Sequence, residues 1–502
     1  MKKLLALLAI FGLVFVSCSD DDEGAIIPDP VPPTVDYTAG SANFSNYVAV
    51  GNSLTAGFSD NALFVDGQTA SFPNMLASNF ALVGGGDFKI PFMADNLGGA
   101  FLQGEVVRTN RLILSFLSGS PSPVPVEGVG TTDIANVLSG PFNNMGVPGA
   151  RSYHLVAPGY GNVDGVLPGL ANPFFARFAS SPGTTVLADA LAQNPTFFTL
   201  WIGSNDVLGY ATAGGAGADH NVTGILDPTM YGGTDLTNSL VFAGALDGII
   251  QALKSTGADG VIANIPDVTA IPFFTTVPHN PVPLDAATAA VLNEAYDQYN
   301  MGLLGLQAIN QISAEEVQRR TISFAAGDTN AVVLLDEDLT DLTGFNDALT
   351  NMRQATEDDL LVLTSRSFIG SLADPGNPTS INGVAIPLAD QWVLTPEEQQ
   401  AIATAITAIN QTITALAVQY DLALVDANAY LNEIAETGAP LNDGSTVTST
   451  FGTGGGFSLD GVHPSPRGYA LLANLFVEAI NAKYGSNLPG VEPLDYTGLY
   501  ID

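Results

Sequence analysis

The sequence is poor in basic residues and contains a single cysteine. Of its 502 residues, 14 are Lys or Arg against 50 Asp or Glu, so the formal net charge is −36. A surface of that sign repels phosphate backbones and anionic membrane surfaces, which argues against nucleic-acid binding. Cys18 is the only thiol, so no disulfide can form within the chain. The fold must therefore rest on its hydrophobic core, for which 46% of the residues are available.

Histidines are equally sparse, which bears on metal binding. The chain has only His154, His220, His279 and His463, and no two of them have the spacing of a zinc pair. No acidic stretch resembles an EF-hand loop. We therefore predict no metal and no cofactor, and we interpret the excess of carboxylates as solvated surface.

The first residues form the most distinctive local pattern. Lys2 and Lys3 precede an apolar run from Leu4 to Val16, which is too short for a stable transmembrane helix and is typical of a secretory signal. Ser17-Cys18 follows and resembles a bacterial lipobox, although Phe15 stands where Leu is more usual. The resemblance implies that residues 1–17 are removed and that Cys18 becomes lipidated. The alternative is ordinary cleavage nearby, which leaves Cys18 on a discarded or disordered end.

Residues 18–42 are acidic and then proline-rich, which predicts a solvated tether between the lipid and the folded part. The run Asp20-Asp21-Asp22 resembles export signals of surface-exposed lipoproteins in Bacteroidetes-type bacteria, with a simple spacer as the alternative. The expected location is the cell envelope, with the protein lipid-anchored in the outer membrane on either face.

Short apolar runs alternate with helical patterns from Tyr47 onwards, which predicts an α/β fold with a parallel sheet between layers of helices. Residues 43–486 are expected to form this domain, with insertions near 85–138 and 312–390 that cover or frame a pocket, and residues 487–502 a C-terminal tail. The clearest strands and helices predicted from pattern are Asn46–Val50, Phe72–Leu82, Thr196–Gly203, Gly260–Asp267, Thr395–Leu416, Leu422–Asn428 and Pro466–Tyr484.

Four stretches carry residues suited to hydrolysis. The first strand ends in Gly-Asn-Ser at Ser53, where a hydroxyl can project from the carboxyl edge of a sheet. Gly149 lies in a predicted tight turn, and Asn205 follows an apolar strand. Asp460 and His463 are three residues apart, so one loop can hold a carboxylate against an imidazole.

Taken in order, these blocks resemble the SGNH (GDSL-type) hydrolases over Tyr47 to about Tyr484. The resemblance implies a flavodoxin-like three-layer fold in which Ser53 is the nucleophile, His463 the base and Asp460 the group that orients the imidazole. It further implies an oxyanion hole made by Ser53, Gly149 and Asn205. Asn52 departs from the family pattern, which often has Asp beside the serine.

Three functions remain open at this stage. The first is a carboxylic ester hydrolase acting on small-molecule or lipid acyl esters. The second is a carbohydrate esterase that removes acetyl groups; with only Trp201 and Trp392 present, a sugar-stacking platform is not obvious. The third is a non-catalytic lipoprotein that binds glycan or lipid.

Three further stretches lie near these blocks. We predict that His154 is a hydrogen-bonded loop histidine rather than a pocket residue. The phenylalanines of Asn172–Phe178 are expected in the core rather than along an acyl-binding wall, and Asn264–Phe274 is expected to shape the site without doing chemistry.

Overall fold

Strands from distant parts of the chain pair at the centre of the fold. The computed structural model describes residues 35–117, 121–377 and 379–502, so Cys18 and the predicted signal peptide lie outside the described residues. The strands are β1 (Tyr47–Gly51), β2 (Ala100–Leu102), β3 (Glu105–Arg108), β4 (Leu112–Ser115), β5 (Ser122–Pro125), β6 (Thr132–Asp133), β7 (Asn144–Gly146), β8 (Phe197–Trp201), β9 (Asp259–Ala263), β10 (Val282–Leu284), β11 (Gly327–Asn330), β12 (Val333–Leu335), β13 (Met352–Gln354), β14 (Leu360–Leu361), β15 (Val393–Leu394), β16 (Ala423–Val425), β17 (Ala439–Pro440) and β18 (Thr446–Val447).

The central sheet has five strands in the order β16-β9-β8-β1-β7, and every neighbouring pair is parallel. Along the chain this is the order 2-1-3-4-5, which is the flavodoxin-like arrangement. The predicted fold class is therefore confirmed. The strand order reverses beside β1, and ligands of open α/β sheets bind outside the carboxyl ends of the strands at such a point.

Helices cover both faces of this sheet, because alternate residues of each strand point to opposite sides. Val48 and Val50 belong to a core formed with α8 and α12, whereas Tyr47 and Ala49 belong to a core formed with α3 and α14. The helices are α1 (Ser53–Ala56), α2 (Val65–Thr69), α3 (Phe72–Ala81), α4 (Pro173–Ala176), α5 (Val186–Leu191), α6 (Ser204–Thr212), α7 (His220–Thr223), α8 (Ser239–Lys254), α9 (Pro272–Thr275), α10 (Ala286–Ala308), α11 (Ala314–Arg320), α12 (Pro396–Gln419), α13 (Ala427–Thr437) and α14 (Pro466–Tyr484).

Helix α12 shows how the local sequence sets a helix start. Thr395 caps it, and the carboxylate of Glu398 accepts a hydrogen bond from the backbone N–H of Thr395 at 2.6 Å. The isoleucines at 402, 406, 409 and 413 are buried in the core beside the sheet, as their spacing predicts. By length and composition α12 also qualifies as a membrane-spanning helix, the one such candidate in the described part of the chain. Its apolar face is already occupied by the protein interior.

The two predicted insertions have different structures. The segment 85–138 forms the short strands β2 to β6, and its buried side chains join a small core with Phe174. The segment 312–390 belongs to a larger apolar cluster that draws on residues 277–393. A buried ion-pair network supports this cluster, in which Arg353 contacts Asp336 and Asp359.

Residues at both ends of the described chain pack on the domain. Tyr37 to Asp502 form one compact unit. Ala42 is buried, and the Ser41 N–H donates to the carbonyl of Tyr484 at 2.8 Å. In the predicted tail, Leu488 is buried in the core beside α14.

Candidate active site

The turn after β1 brings Ser53 to the carboxyl edge of the sheet. Gly51 is needed there, because a Cβ atom on it would lie 2.4 Å from the carbonyl oxygen of Trp201. Asn52 caps α1 by accepting the Leu54 N–H at 3.0 Å, a task that needs only a side-chain oxygen. The amide at position 52 thus supplies the cap that a carboxylate would also supply. Ser53 is then the first residue of α1 and is 6% exposed.

Ser53, His463 and Asp460 form a continuous hydrogen-bonded chain. The Nε2 atom of His463 lies 2.9 Å from Oγ of Ser53, and its Nδ1 atom lies 2.9 Å from Oδ2 of Asp460. Oδ1 of Asp460 accepts the backbone N–H groups of Val462 and His463, both at 2.8 Å. Burial by itself raises the pKa of Asp460, but His463 and these donors outweigh burial and lower it to about 2. The carboxylate therefore stays ionised and can keep a proton on Nδ1.

A buried aspartate, Asp60, braces the loop that carries this pair. Its Oδ1 accepts the Leu459 N–H at 2.9 Å, and its own N–H donates to Oγ of Ser458. Ser458 in turn donates to Oδ1 of Asp460 at 3.0 Å. Burial, with the charge of Asp460 adding to it, raises the pKa of Asp60 to about 7. Sequence reasoning missed this residue, because nothing in its spacing links residue 60 to residues 458–460.

Gly149 and Asn205 are brought together by a similar brace. Asp206 is fully buried and accepts both the backbone N–H and the hydroxyl of Ser152, at 2.9 and 2.8 Å. The Nδ2 group of Asn205 donates to the carbonyl of Ala150 at 2.9 Å. The start of α6 is therefore clamped to the Gly149 turn. Asp206 directly follows Asn205 in the sequence, but nothing in that position predicts its contact with Ser152.

Three N–H groups remain available around Ser53. A primary amide has two N–H donors, so Asn205 keeps one after its bond to Ala150. Among the described residues, no acceptor takes the backbone N–H of Ser53 or of Gly149. Gly149 has φ +81°, a backbone conformation that residues other than glycine rarely adopt. N–H groups of this kind stabilise oxyanions, and the three residues that carry them all line one cavity, described next.

Two cavities meet at this serine and share Ser53, Asn205, Leu208 and His463. The first, here named the apolar cavity, has a volume of about 100 Å³. Its walls are mostly aliphatic and include Leu54, Val268, Ile271, Leu431, Ile434 and Leu471. The second, here named the mixed cavity, has a volume of about 340 Å³. Its walls include Gly149 together with Phe58, Asn61, Val107, Arg108, Thr109 and Phe174.

The predicted insertions contribute unequally to these walls. Residues 107–109 of the first insertion line the mixed cavity. No described residue of the segment 312–390 lines either cavity. The first segment therefore contributes to the wall of the mixed cavity, while the second folds around its own apolar cluster.

The other stretches singled out in the sequence are His154, the phenylalanines of Asn172–Phe178 and the segment Asn264–Phe274. His154 lines neither cavity: its Nδ1 accepts the Arg151 N–H at 3.1 Å, and burial together with Arg151 lowers its pKa to about 4. All three phenylalanines of Asn172–Phe178 are buried, and Phe174 also lines the mixed cavity. From Asn264–Phe274, Val268 and Ile271 line the apolar cavity.

One group of three carboxylates in the described part of the chain has oxygens within 4.8 Å of one another: Glu337, Asp390 and Glu398. These are the residues with the spacing to hold a metal ion, and they line neither cavity. Glu398 is 5% exposed, and its Oε1 has no hydrogen-bond partner. Burial raises the pKa of Glu398 to about 8. The charges of Asp390 and Glu337 raise it further, while the hydrogen bonds from Thr395 act in the opposite direction.

We expect Glu398→Gln to stabilise the protein at pH 9 by about 1 kcal/mol and to have little effect at pH 4.5. The folded state holds the Glu398 proton more tightly than the unfolded state, so wild-type stability falls as pH rises towards 8. A glutamine keeps the oxygen that accepts from Thr395 and carries no charge. Urea unfolding at both pH values measures the effect, with the neighbouring exposed Glu397→Gln as the control. An equal effect of Glu398→Gln at both pH values would contradict the prediction.

No protein-family model and no curated protein matches the chain. Among solved structures, it is similar to a protein described as a GDSL-like lipase from Parabacteroides merdae, at 10% identity and a TM-score of 0.33, covering 89% of this chain and 100% of that one. A variant of an acetyl-xylooligosaccharide esterase from Geobacillus matches at 11% identity and a TM-score of 0.30, covering 88% of this chain and 97% of that one. An extracellular lipase from Streptomyces rimosus matches at 12% identity and a TM-score of 0.30, covering 88% of this chain and 99% of that one.

Proposed function

We propose that this chain is a serine-dependent carboxylic ester hydrolase. The observation that supports it is the uninterrupted chain from Oγ of Ser53 through both nitrogens of His463 to Asp460, with 2.9 Å at each link. A hydroxyl in this setting can lose its proton to the imidazole as it attacks a carbonyl carbon.

The reaction follows from the positions of these groups. Ser53 Oγ bonds to the ester carbonyl carbon while its proton moves to Nε2 of His463. The resulting oxyanion accepts hydrogen bonds from the N–H groups of Ser53 and Gly149 and from the remaining N–H of Asn205. The C–O bond to the alcohol then breaks, and the alcohol takes the proton from Nε2. Water repeats the sequence on the acyl-serine, releases the acid and restores Ser53.

A fluorophosphonate probe tests the proposal. It bonds covalently to an activated serine and not to an ordinary one, so we expect the folded protein to carry a single adduct that peptide mass mapping places on Ser53. Urea-denatured protein, in which the three groups are apart, is the control. A folded protein that remains unlabelled would instead favour the third reading, a non-catalytic binding lipoprotein.

The apolar cavity favours acyl chains longer than acetyl. Its aliphatic walls adjoin Ser53, and apolar groups gain free energy by leaving water. Trp201 lines the apolar cavity but is 2% exposed, and its ring packs against Phe72 and Phe476, so little of the ring is open to a sugar. Rates on p-nitrophenyl esters of rising chain length distinguish an esterase for longer acyl chains from a carbohydrate esterase. A preference for acetate, with acetate release from glycans, would support the carbohydrate esterase.

Loss of the Asn205 amide should slow catalysis without unfolding the protein. We expect Asn205→Ala to lower kcat for a p-nitrophenyl ester by roughly 10²- to 10³-fold, as removal of one oxyanion donor does. KM should change less, because the charge that the amide stabilises develops only in the transition state. Asn221→Ala is a suitable control, since Asn221 is exposed and lines neither cavity. Full activity in Asn205→Ala would remove Asn205 from the oxyanion hole.

We further propose that the protein is anchored in the bacterial envelope through lipid on Cys18. The support is the sequence pattern of residues 1–42, with its apolar run, its Ser-Cys pair and its acidic, proline-rich continuation. Metabolic labelling with a fatty acid, followed by mass analysis of the first peptide, is expected to find acyl groups on Cys18. An N-terminus that begins elsewhere and carries no lipid would refute the anchor.

A further inference from the structure

Arg108 lies in the wall of the mixed cavity, where its side chain is exposed and has no charged partner among the described residues. It is the last residue of β3, pairs with Ala100 of β2, and lines the same cavity as Ser53, Gly149 and His463. Among the described residues, no carboxylate lies within ion-pair distance of its guanidinium, and no acceptor takes a hydrogen bond from it. The chain has 50 acidic residues, so this is not a shortage of carboxylates.

Other arginines show what the same side chain does elsewhere. Arg320 and Arg353 are paired with carboxylates at 3.1 Å or less. Arg111, three residues after Arg108, donates to the carbonyls of Asn96 and Leu112. Arg108 alone combines a free guanidinium with a place beside the catalytic serine, within the part of the chain that the structure describes.

Aromatic contacts hold this cation against the cavity wall. The guanidinium carbon lies 5.3 Å from the centre of the Phe174 ring, within the range of a cation–π contact. Phe174 packs edge-on against Phe58 at 6.0 Å, and Phe58 lies 4.7 Å from the His463 ring. A continuous row of rings therefore runs from Arg108 to the imidazole. The guanidinium and the imidazole thus lie along one wall of the mixed cavity.

The walls of the two cavities differ in a way that suits the two arms of an ester. The aliphatic walls of the apolar cavity suit an acyl chain and would penalise a charge, since a buried ion without a partner is costly. The alcohol arm then occupies the mixed cavity, where Arg108 lies. A planar guanidinium matches the paired oxygens of a phosphate or a carboxylate, to which it can donate two hydrogen bonds.

We infer that Arg108 binds an anionic oxygen group on the alcohol arm of the substrate, so that the preferred esters have a phosphate or carboxylate on their leaving alcohol. This rests on the proposed ester hydrolysis at Ser53. Repulsion from the net charge of −36 acts on any anion at a distance and is screened by salt. Arg108 supplies the short-range contact that makes a single anionic group acceptable at the site.

Three butyrate esters with related leaving groups test the inference: phenyl butyrate, 4-carboxyphenyl butyrate and 4-(phosphonooxy)phenyl butyrate. For each ester, kcat/KM of a variant is divided by that of the wild type, which cancels differences in leaving-group chemistry. We expect Arg108→Ala to lower this ratio about 5- to 10-fold for the anionic esters and less than about 2-fold for the neutral one. The anionic ester that loses more identifies the group that Arg108 prefers.

Two further variants complete the test. Arg108→Lys keeps the positive charge but lacks the planar guanidinium with its paired donors. It should recover part of the rate on the anionic esters. Arg366→Ala removes an exposed arginine that lines neither cavity, and should leave all three ratios near one. Equal ratios for all three esters in Arg108→Ala would overturn the inference. If Ser53→Ala instead hydrolysed phenyl butyrate as fast as the wild type, the proposed function itself would fail, which is a distinct result.

Discussion

Replacing Ser53 by alanine is expected to lower kcat for p-nitrophenyl butyrate by roughly 10⁵- to 10⁶-fold, the size of loss seen when a catalytic serine is removed. The change deletes the oxygen that lies 2.9 Å from Nε2 of His463 and leaves the backbone N–H of residue 53 in place. Asn52 still caps α1, so the fold should persist. The measurement is the steady-state rate, together with the midpoint of urea unfolding for each protein.

Ser71→Ala is the matched control for this experiment. Ser71 is a second buried serine, 0% exposed; its hydroxyl has no hydrogen-bond partner, and it lines neither cavity. We expect that variant to retain wild-type activity. If Ser53→Ala lost less than about tenfold in rate with its stability unchanged, some other group would have to be the nucleophile.

Replacing Asp460 by asparagine should lower kcat by roughly 10⁴-fold. Oδ2 of Asp460 accepts from Nδ1 of His463 at 2.9 Å and from the Asn61 N–H at 2.9 Å. An amide nitrogen at this position would face two donors, so the imidazole would move its proton to Nε2. That tautomer has no lone pair facing Ser53 and cannot act as its base. The loss should therefore appear mainly in kcat.

Asp60→Asn distinguishes this effect from a simple change of charge. Asp60 is the neighbouring buried aspartate, and its Oδ1 accepts a single backbone N–H, from Leu459. An amide oxygen can replace that acceptor, and removal of the charge also relieves repulsion with Asp460. We expect Asp60→Asn to remain at least about 100-fold more active than Asp460→Asn. Similar losses in both variants would indicate that loop stability, rather than the His463 tautomer, controls the rate.

Much of the architecture is encoded locally and was therefore predictable. The apolar runs at 47–51 and 197–201 are buried on both faces of the sheet, and such strands require almost continuous hydrophobic sequence. The Thr395 cap and Gly485 at the end of α14 are set by neighbours within a few residues. Strand β7 was not predicted, because its three residues are too few to show a pattern.

The roles of Ser53, Gly149, Asn205, Asp460 and His463 were inferred from their order along the chain and from a family resemblance. Their distances come from tertiary contacts that no local pattern contains. Asp60 and Asp206 illustrate this, since each braces a segment of the candidate active site through hydrogen bonds to residues far away in sequence. Arg108 belongs to a segment predicted only as an insertion, and its place beside the serine depends on how that segment folds back.

Hydrophobic periodicity and capping residues were thus enough to specify the layers of this protein, because they act between residues a few positions apart. The two cavities, the free guanidinium of Arg108 and the bracing carboxylates arose only when segments up to 410 residues apart came into contact. Hydrogen bonds and charges act over a few ångströms in space, whatever the separation of their residues along the chain.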